Sequence, residues 1–147
     1  MILKTTYIFK TVVAPFVLIY SLLVTGYCYA EISVIVHPSN EVSLSKKNVQ
    51  RIFLGKMKKF PGGGEALPIN LPVGNVVAER FNSTVLKKSA PMLSGYWGQY
   101  VFTGKGAPPK QVDSVAAVKN LVELNPSAIG YVDSELVDDT VKAIYKF

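Results

Sequence analysis

The chain has 147 residues, 49% of them hydrophobic and 18% charged, with a formal net charge of +6, a size that suits one domain. Its only cysteine is Cys28, in the first thirty residues, so the rest of the chain is excluded from disulfide and thiolate chemistry. Past residue 30 the sequence holds 14 basic and 10 acidic side chains. The excess sits in pairs such as Lys46-Lys47, Lys58-Lys59 and Lys87-Lys88, which read as a solvated surface and not as a nucleic-acid patch.

In chain order, residues 1–30 come first. Lys4 and Lys10 precede an apolar run from Thr11 to Val24, and Cys28-Tyr29-Ala30 has small residues at its first and third places. Those are the parts of a secretory signal peptide, with cleavage expected after Ala30. The run is shorter than the ~20 apolar residues that a membrane span needs. The expected mature chain is 31–147, exported to the periplasm.

Ile32–Val36 is β-branched and apolar, as a buried strand would be, and His37-Pro-Ser-Asn40 turns the chain. Ser45 can cap a helix carrying Val49, Ile52 and Phe53 on one face, with Gly55 as its stop. A basic, Gly-rich loop runs to Gly64, and Leu67–Leu71 forms a second strand, followed by the turn Pro72-Val-Gly-Asn75. Val77, Ala78, Phe81 and Val85 define a second helix with Lys87 and Lys88 in its last turn.

Pro91 opens a third helix, in which Met92, Leu93, Tyr96, Trp97, Tyr100 and Val101 make a wide apolar stripe read as core packing onto the sheet. Thr103–Lys110 is a Gly/Pro loop. Ser114 caps a fourth helix with Val115, Val118, Leu121 and Val122 inward, and Asn125-Pro126 ends it. Ala128–Val132 and Thr140–Tyr145 are the last two strands. The β-α-β-α-α-α-β-β order predicts an α/β domain, a mixed sheet flanked by helices.

Catalytic chemistry finds little support. His37 is the only histidine, and no G-x-S-x-G elbow exists to seat a nucleophile. One histidine and no mature cysteine leave no metal centre, and no cofactor motif is present. Pro61–Gly64 leads into a strand, whereas phosphate-cradling loops lead into helix N-termini. Gly104-Lys-Gly106 lacks a following Ser or Thr, and both read as plain loops. The chain is therefore expected to bind and not to catalyse.

Several motifs carry a resemblance. Leu44-Ser-x-x-x-Val49-x-x-Ile52-Phe-Leu-Gly-Lys56 and Asn125-Pro-Ser-Ala-Ile-Gly-Tyr-Val132 are similar to segments of the phosphate-binding proteins of ABC transporters, and Tyr96-Trp97 with Phe102-Thr-Gly-Lys-Gly106 resembles a short, single-lobe branch of that group. The resemblance implies a periplasmic binding protein-like lobe and a small oxyanion, phosphate or another, as ligand. The family's phosphate loop departs here. Its Arg, Asp, Ser, second Gly and Thr fall on Leu71, Val73, Asn75, Val76 and Val77, so the fold carries over and the anion donors do not.

Ligands of open α/β sheets gather outside the carboxyl ends of strands. That rule points to Ser39, Asn40, Gly74 and Asn75, with Arg80 as counter-charge, provided that the turns at 37–40 and 72–75 converge. The alternative is a periplasmic interaction or assembly protein that kept the lobe and lost the ligand, with an envelope protein or a second copy as its partner.

Overall fold

A computed structural model describes residues 30–147; the rest of the expected signal peptide lies outside the described residues. Five strands form one mixed sheet: β1 (Ile32–Val36), β2 (Leu67–Asn70), β3 (Lys110–Gln111), β4 (Ala128–Asp133) and β5 (Lys142–Lys146), in the order β3-β2-β4-β1-β5. The helices are α1 (Lys46–Phe53), α2 (Val76–Phe81), α3 (Ala90–Phe102) and α4 (Val115–Leu124). The α/β lobe expected from the element order is what the chain forms.

β1 and β4 lie at the centre and are almost wholly buried, the pattern of strands covered on both faces. β2 runs parallel to β3 and β4, whereas β1 is antiparallel to both β4 and β5. Parallel neighbours need crossovers, and the helices between β2 and β4 supply them.

Two consecutive residues of β4 hold the layers together. Successive side chains of a strand point to opposite faces. A Cβ on Gly130 would lie 2.4 Å from Val118 Cγ1 and 3.4 Å from Val122 Cγ2, so glycine lets α4 sit directly on the strand. Tyr131 points the other way, where its ring stacks on Phe81 at 4.0 Å and 5° and meets Phe53 at 5.8 Å. Phe53 and Phe81 touch edge to face at 4.7 Å. These contacts fix α1 and α2 on the second face, each aromatic pair adding about 1 kcal/mol beyond its buried area.

The helix starts follow local chemistry. Ser45 accepts from the Asn48 amide at 3.3 Å, Ser114 from the Ala117 amide at 3.1 Å, and Asn75 from the amides of Val77 and Ala78. The second helix departs from expectation after Phe81. Asn82–Leu86 is π-helical and ends at Lys87, whose φ is +55°. β3, read from sequence as part of a loop, has two exposed residues, too few for any alternation to show.

The third helix also differs. Only Leu93 of α3 is buried, while Met92, Val101 and Phe102 are exposed and Tyr96, Trp97 and Tyr100 are half-buried. The aromatics pack not on the sheet but on the end of α1. Tyr96 Oη donates to Leu54 O at 2.7 Å and Tyr100 Oη to Gly55 O at 2.9 Å. They satisfy carbonyls that the helix end leaves without partners. Gly55, at φ +70°, would bring a Cβ within 3.1 Å of Trp97 and 3.3 Å of Tyr100, so the turn and the aromatic face are fitted to each other.

Gly130→Ala forces a methyl into Val118 and is expected to destabilise the fold by about 2 kcal/mol. Val118→Ala in the same chain should return part of that loss. Urea unfolding of the three variants checks both.

Candidate functional site

The direction of β1 decides which loops share an end of the sheet. Ile32 faces Asp133 and Val36 faces Ile129, so the turn at 37–40 leaves β1 beside the amino end of β4. β2 is parallel to β4, so the turn at 72–75 lies beyond the carboxyl ends of both. The two turns are at opposite ends of the sheet. The structure therefore divides the expected set: Gly74, Asn75 and Arg80 lie at the carboxyl end, while Ser39 and Asn40 do not.

Ser39 and Asn40 are engaged where they stand. Ser39 Oγ meets His37 Nδ1 at 2.7 Å. Asn40 Nδ2 donates to Pro126 O, and Lys142 Nζ donates to Asn40 O at 3.1 Å. These bonds tie the turn to the loop before β4 and to the edge strand β5, a stitching of the sheet's amino end.

At the other end, Asn75 spends its side-chain oxygen on its own helix. Oδ1 accepts from Val77 N at 3.0 Å and Ala78 N at 3.3 Å. Those are the amides that an anion at the start of α2 would need. Gly74 has φ +87° and open space around it, which makes the tight turn possible. Arg80 donates to Ala30 O, ahead of β1, and lines a separate depression with Ser83, Lys88 and Ser89. It does not line the cavity at the turn.

That cavity has a volume of about 270 Å³ and lies between β2, α2 and α3. Its apolar walls include Leu71, Val73, Leu93, Trp97, Pro108 and Pro109, and its polar groups are Asn70, Glu79, Asn82, Ser94 and Gln111, with no lysine or arginine. Asn82 is a residue that the sequence reading passed over. It is nine-tenths buried, and its Oδ1 has no hydrogen-bond partner. A polar residue inside an apolar helical pattern was the only signal that could have marked it.

Tyr131 supports the floor of this mouth. Its hydroxyl donates to Asn70 Oδ1, and the Leu71 amide donates to it at 3.4 Å. Burial holds its phenol well above the usual tyrosine range, the Leu71 amide pulling weakly the other way. Tyr96 is shifted upward too, by burial and by neighbouring Tyr100. A larger cavity, about 380 Å³, lies beside the first half of β2, lined by Trp97, Tyr100, Pro108, Pro109, Ile69 and Leu121. It is away from the carboxyl ends of β2 and β4.

No family model matches the sequence. Solved structures do match in fold. One is a putative phosphate ABC transporter substrate-binding protein with bound phosphate from Clostridium perfringens, at TM-score 0.62 and 23% identity over 78% of this chain and 45% of that one. An ABC-type phosphate transport receptor from Vibrio cholerae gives 0.60 and 20% over 78% and 46%, and PstS from Borrelia burgdorferi gives 0.51 and 15% over 70% and 41%. The chain spans less than half the length of each. It has the fold of one lobe of a phosphate ABC transporter substrate-binding protein, which is the resemblance carried by its Ile52–Lys56 and Ala128–Val132 motifs.

The raised phenol of Tyr131 sets a pH dependence. A neutral hydroxyl favoured by the fold contributes stability that is complete below the unfolded value, about 10, and is lost as pH rises beyond it. Tyr131→Phe keeps the ring stack, loses the Asn70 bond at a cost of about 1 kcal/mol near neutral pH, and should flatten the alkaline loss. Thermal melts at pH 7 and above pH 10 check both effects.

Proposed function

We propose that this chain is an exported, non-enzymatic binding-protein lobe that serves as an interaction module and not as a phosphate receptor. The observation that carries this reading is the use of Asn75 Oδ1 as a cap on Val77 N and Ala78 N, which leaves those amides no free valence for an oxyanion.

The surrounding residues support it. Leu71 stands where the resembling family has its anion-binding arginine, and it is 2% exposed, part of the core. Val73 and Val76 are 81% and 69% exposed at the rim, and neither side chain offers a hydrogen-bond donor to an anion. Glu79 adds a negative charge to the cavity wall. Charge-assisted donors are the strong element of phosphate recognition, and an apolar rim is the usual mark of a partner surface. Export rests on the three-part leader in residues 1–30.

Phosphate capture is the competing reading, favoured by the fold shared with a structure that holds bound phosphate. Thermal melting separates the two. A ligand at 100 times its Kd adds about 2.7 kcal/mol of stability. Melting curves of residues 30–147 in millimolar phosphate, sulfate and arsenate, corrected for ionic strength with chloride, are expected to overlay. A rise specific to any one oxyanion, lost in Asn75→Asp, would overturn the interaction reading in favour of phosphate capture.

A further inference from the structure

Charge is segregated along this chain to an extent that its modest net value conceals. Residues 42–64 and 80–112 hold 11 of the 14 basic side chains past residue 30 and none of the 10 acidic ones. These two segments are packed together. Phe53 meets Phe81, Gln50 Nε2 bonds Val85 O, and Tyr96 and Tyr100 bond Leu54 O and Gly55 O. The salt bridges among the described residues lie in the other half, Lys119 with Asp138 and Lys146 with Glu31. One side of the molecule is thus rich in lysine, with Glu65 opposite Lys59 and Glu79 at the cavity wall among the carboxylates that flank the two segments in sequence.

The centre of that side is α3, which has no charged residue in 13 positions. Its inner face carries Leu93, with Tyr96, Trp97 and Tyr100 half-buried beside it. Phe102 falls half a turn away from Leu93 by helical spacing, and is 92% exposed. Met92 and Val101 are exposed at 55% and 52%. Lys87 and Lys88 precede the helix, Lys88 lying 5.9 Å from the Tyr96 ring; Lys105 follows it in an exposed loop and Lys110, also exposed, opens β3. Among the described residues no helix is long and apolar enough to cross a membrane.

We propose that α3 and the loop after it dock on an anionic lipid surface, with Phe102 entering the interface and Lys87, Lys88, Lys105 and Lys110 meeting the headgroups. An uncharged helix bearing large apolar side chains and bracketed by lysines has the two terms that hold a protein on such a surface, buried apolar area and attraction to negative charge. The charge pattern selects this occupant over a second copy. Two copies joined through α3 would set lysines against lysines, with no carboxylate in either acid-free segment to offset them. Docking of the outer face of α3 leaves the cavity on its inner face open, so it stands or falls apart from the fate of phosphate at the mouth.

Residues 30–147 contain every described element and the buried core of the described residues, and they leave out the apolar run Thr11–Val24, which would bind lipid by itself. This chain is expected to co-sediment with phosphatidylglycerol vesicles and not with phosphatidylcholine vesicles, and to be released by salt. Phe102→Asp, on a side chain that supports nothing in the fold, should lower the partition coefficient about tenfold or more. Phe102→Trp should keep the binding, and its added emission should shift to the blue with the anionic vesicles. Lys87→Gln and Lys105→Gln should each weaken binding about fivefold. Equal binding to both vesicle types, or an unchanged partition of Phe102→Asp, overturns the proposal. So does a stable dimer in solution that Phe102→Asp dissociates without any vesicle binding, which would assign the face to a second copy.

Discussion

β1 runs against both of its neighbours, and the placement of every loop depends on that direction. A strand that opposes β4 brings its own exit beside the entrance of β4. The turn at 37–40 is thereby removed from the end of the sheet where β2 and β4 finish. Had β1 been parallel, Ser39 and Asn40 would have faced Gly74 and Asn75 across one pocket. Instead Asn40 bonds Pro126 and Lys142, and the carboxyl end is left to the turn at 72–75 and the residues around it.

The second constraint is the pair Gly130-Tyr131. Adjacent residues of one strand serve opposite layers, a missing side chain for α4 and a stacked ring for α1 and α2. The same tyrosine reaches Asn70 and Leu71 with its hydroxyl, so the packing of the core and the shape of the mouth are coupled through one side chain. A rigid floor of this kind lets the residues above it change without loss of the fold. Leu71 lies in the core beneath the mouth, and Val73 and Val76 give the mouth an apolar rim.

The aromatic helix α3 buries only Leu93 in the core. Its tyrosines hold the carbonyls at the end of α1, and its outer half, with Phe102, is left to solvent. Together with the acid-free segments 42–64 and 80–112, this gives the molecule a cationic side with an apolar centre and an opposite side where carboxylates and lysines pair.

The sequence by itself determined what depends on near neighbours along the chain. β-branched runs read as strands, Ser45, Asn75 and Ser114 mark helix starts, and the Ile-Phe-Leu-Gly-Lys and Ala-Ile-Gly-Tyr-Val motifs point to the lobe. The departure from the resembling family's phosphate loop at Leu71, Val73, Asn75, Val76 and Val77 was legible too, because it needs only the spacing from Gly74. Tertiary structure alone decided strand direction, since an apolar pentapeptide such as Ile32–Val36 reads the same whichever way it is laid in a sheet. It also decided which side of α3 is covered: Met92, Val101 and Phe102 fit a helical period as well as Leu93 does, and burial depends on a partner that periodicity does not name. Asn82 stayed hidden for the same reason, for only the packing around it leaves a buried amide oxygen without a donor.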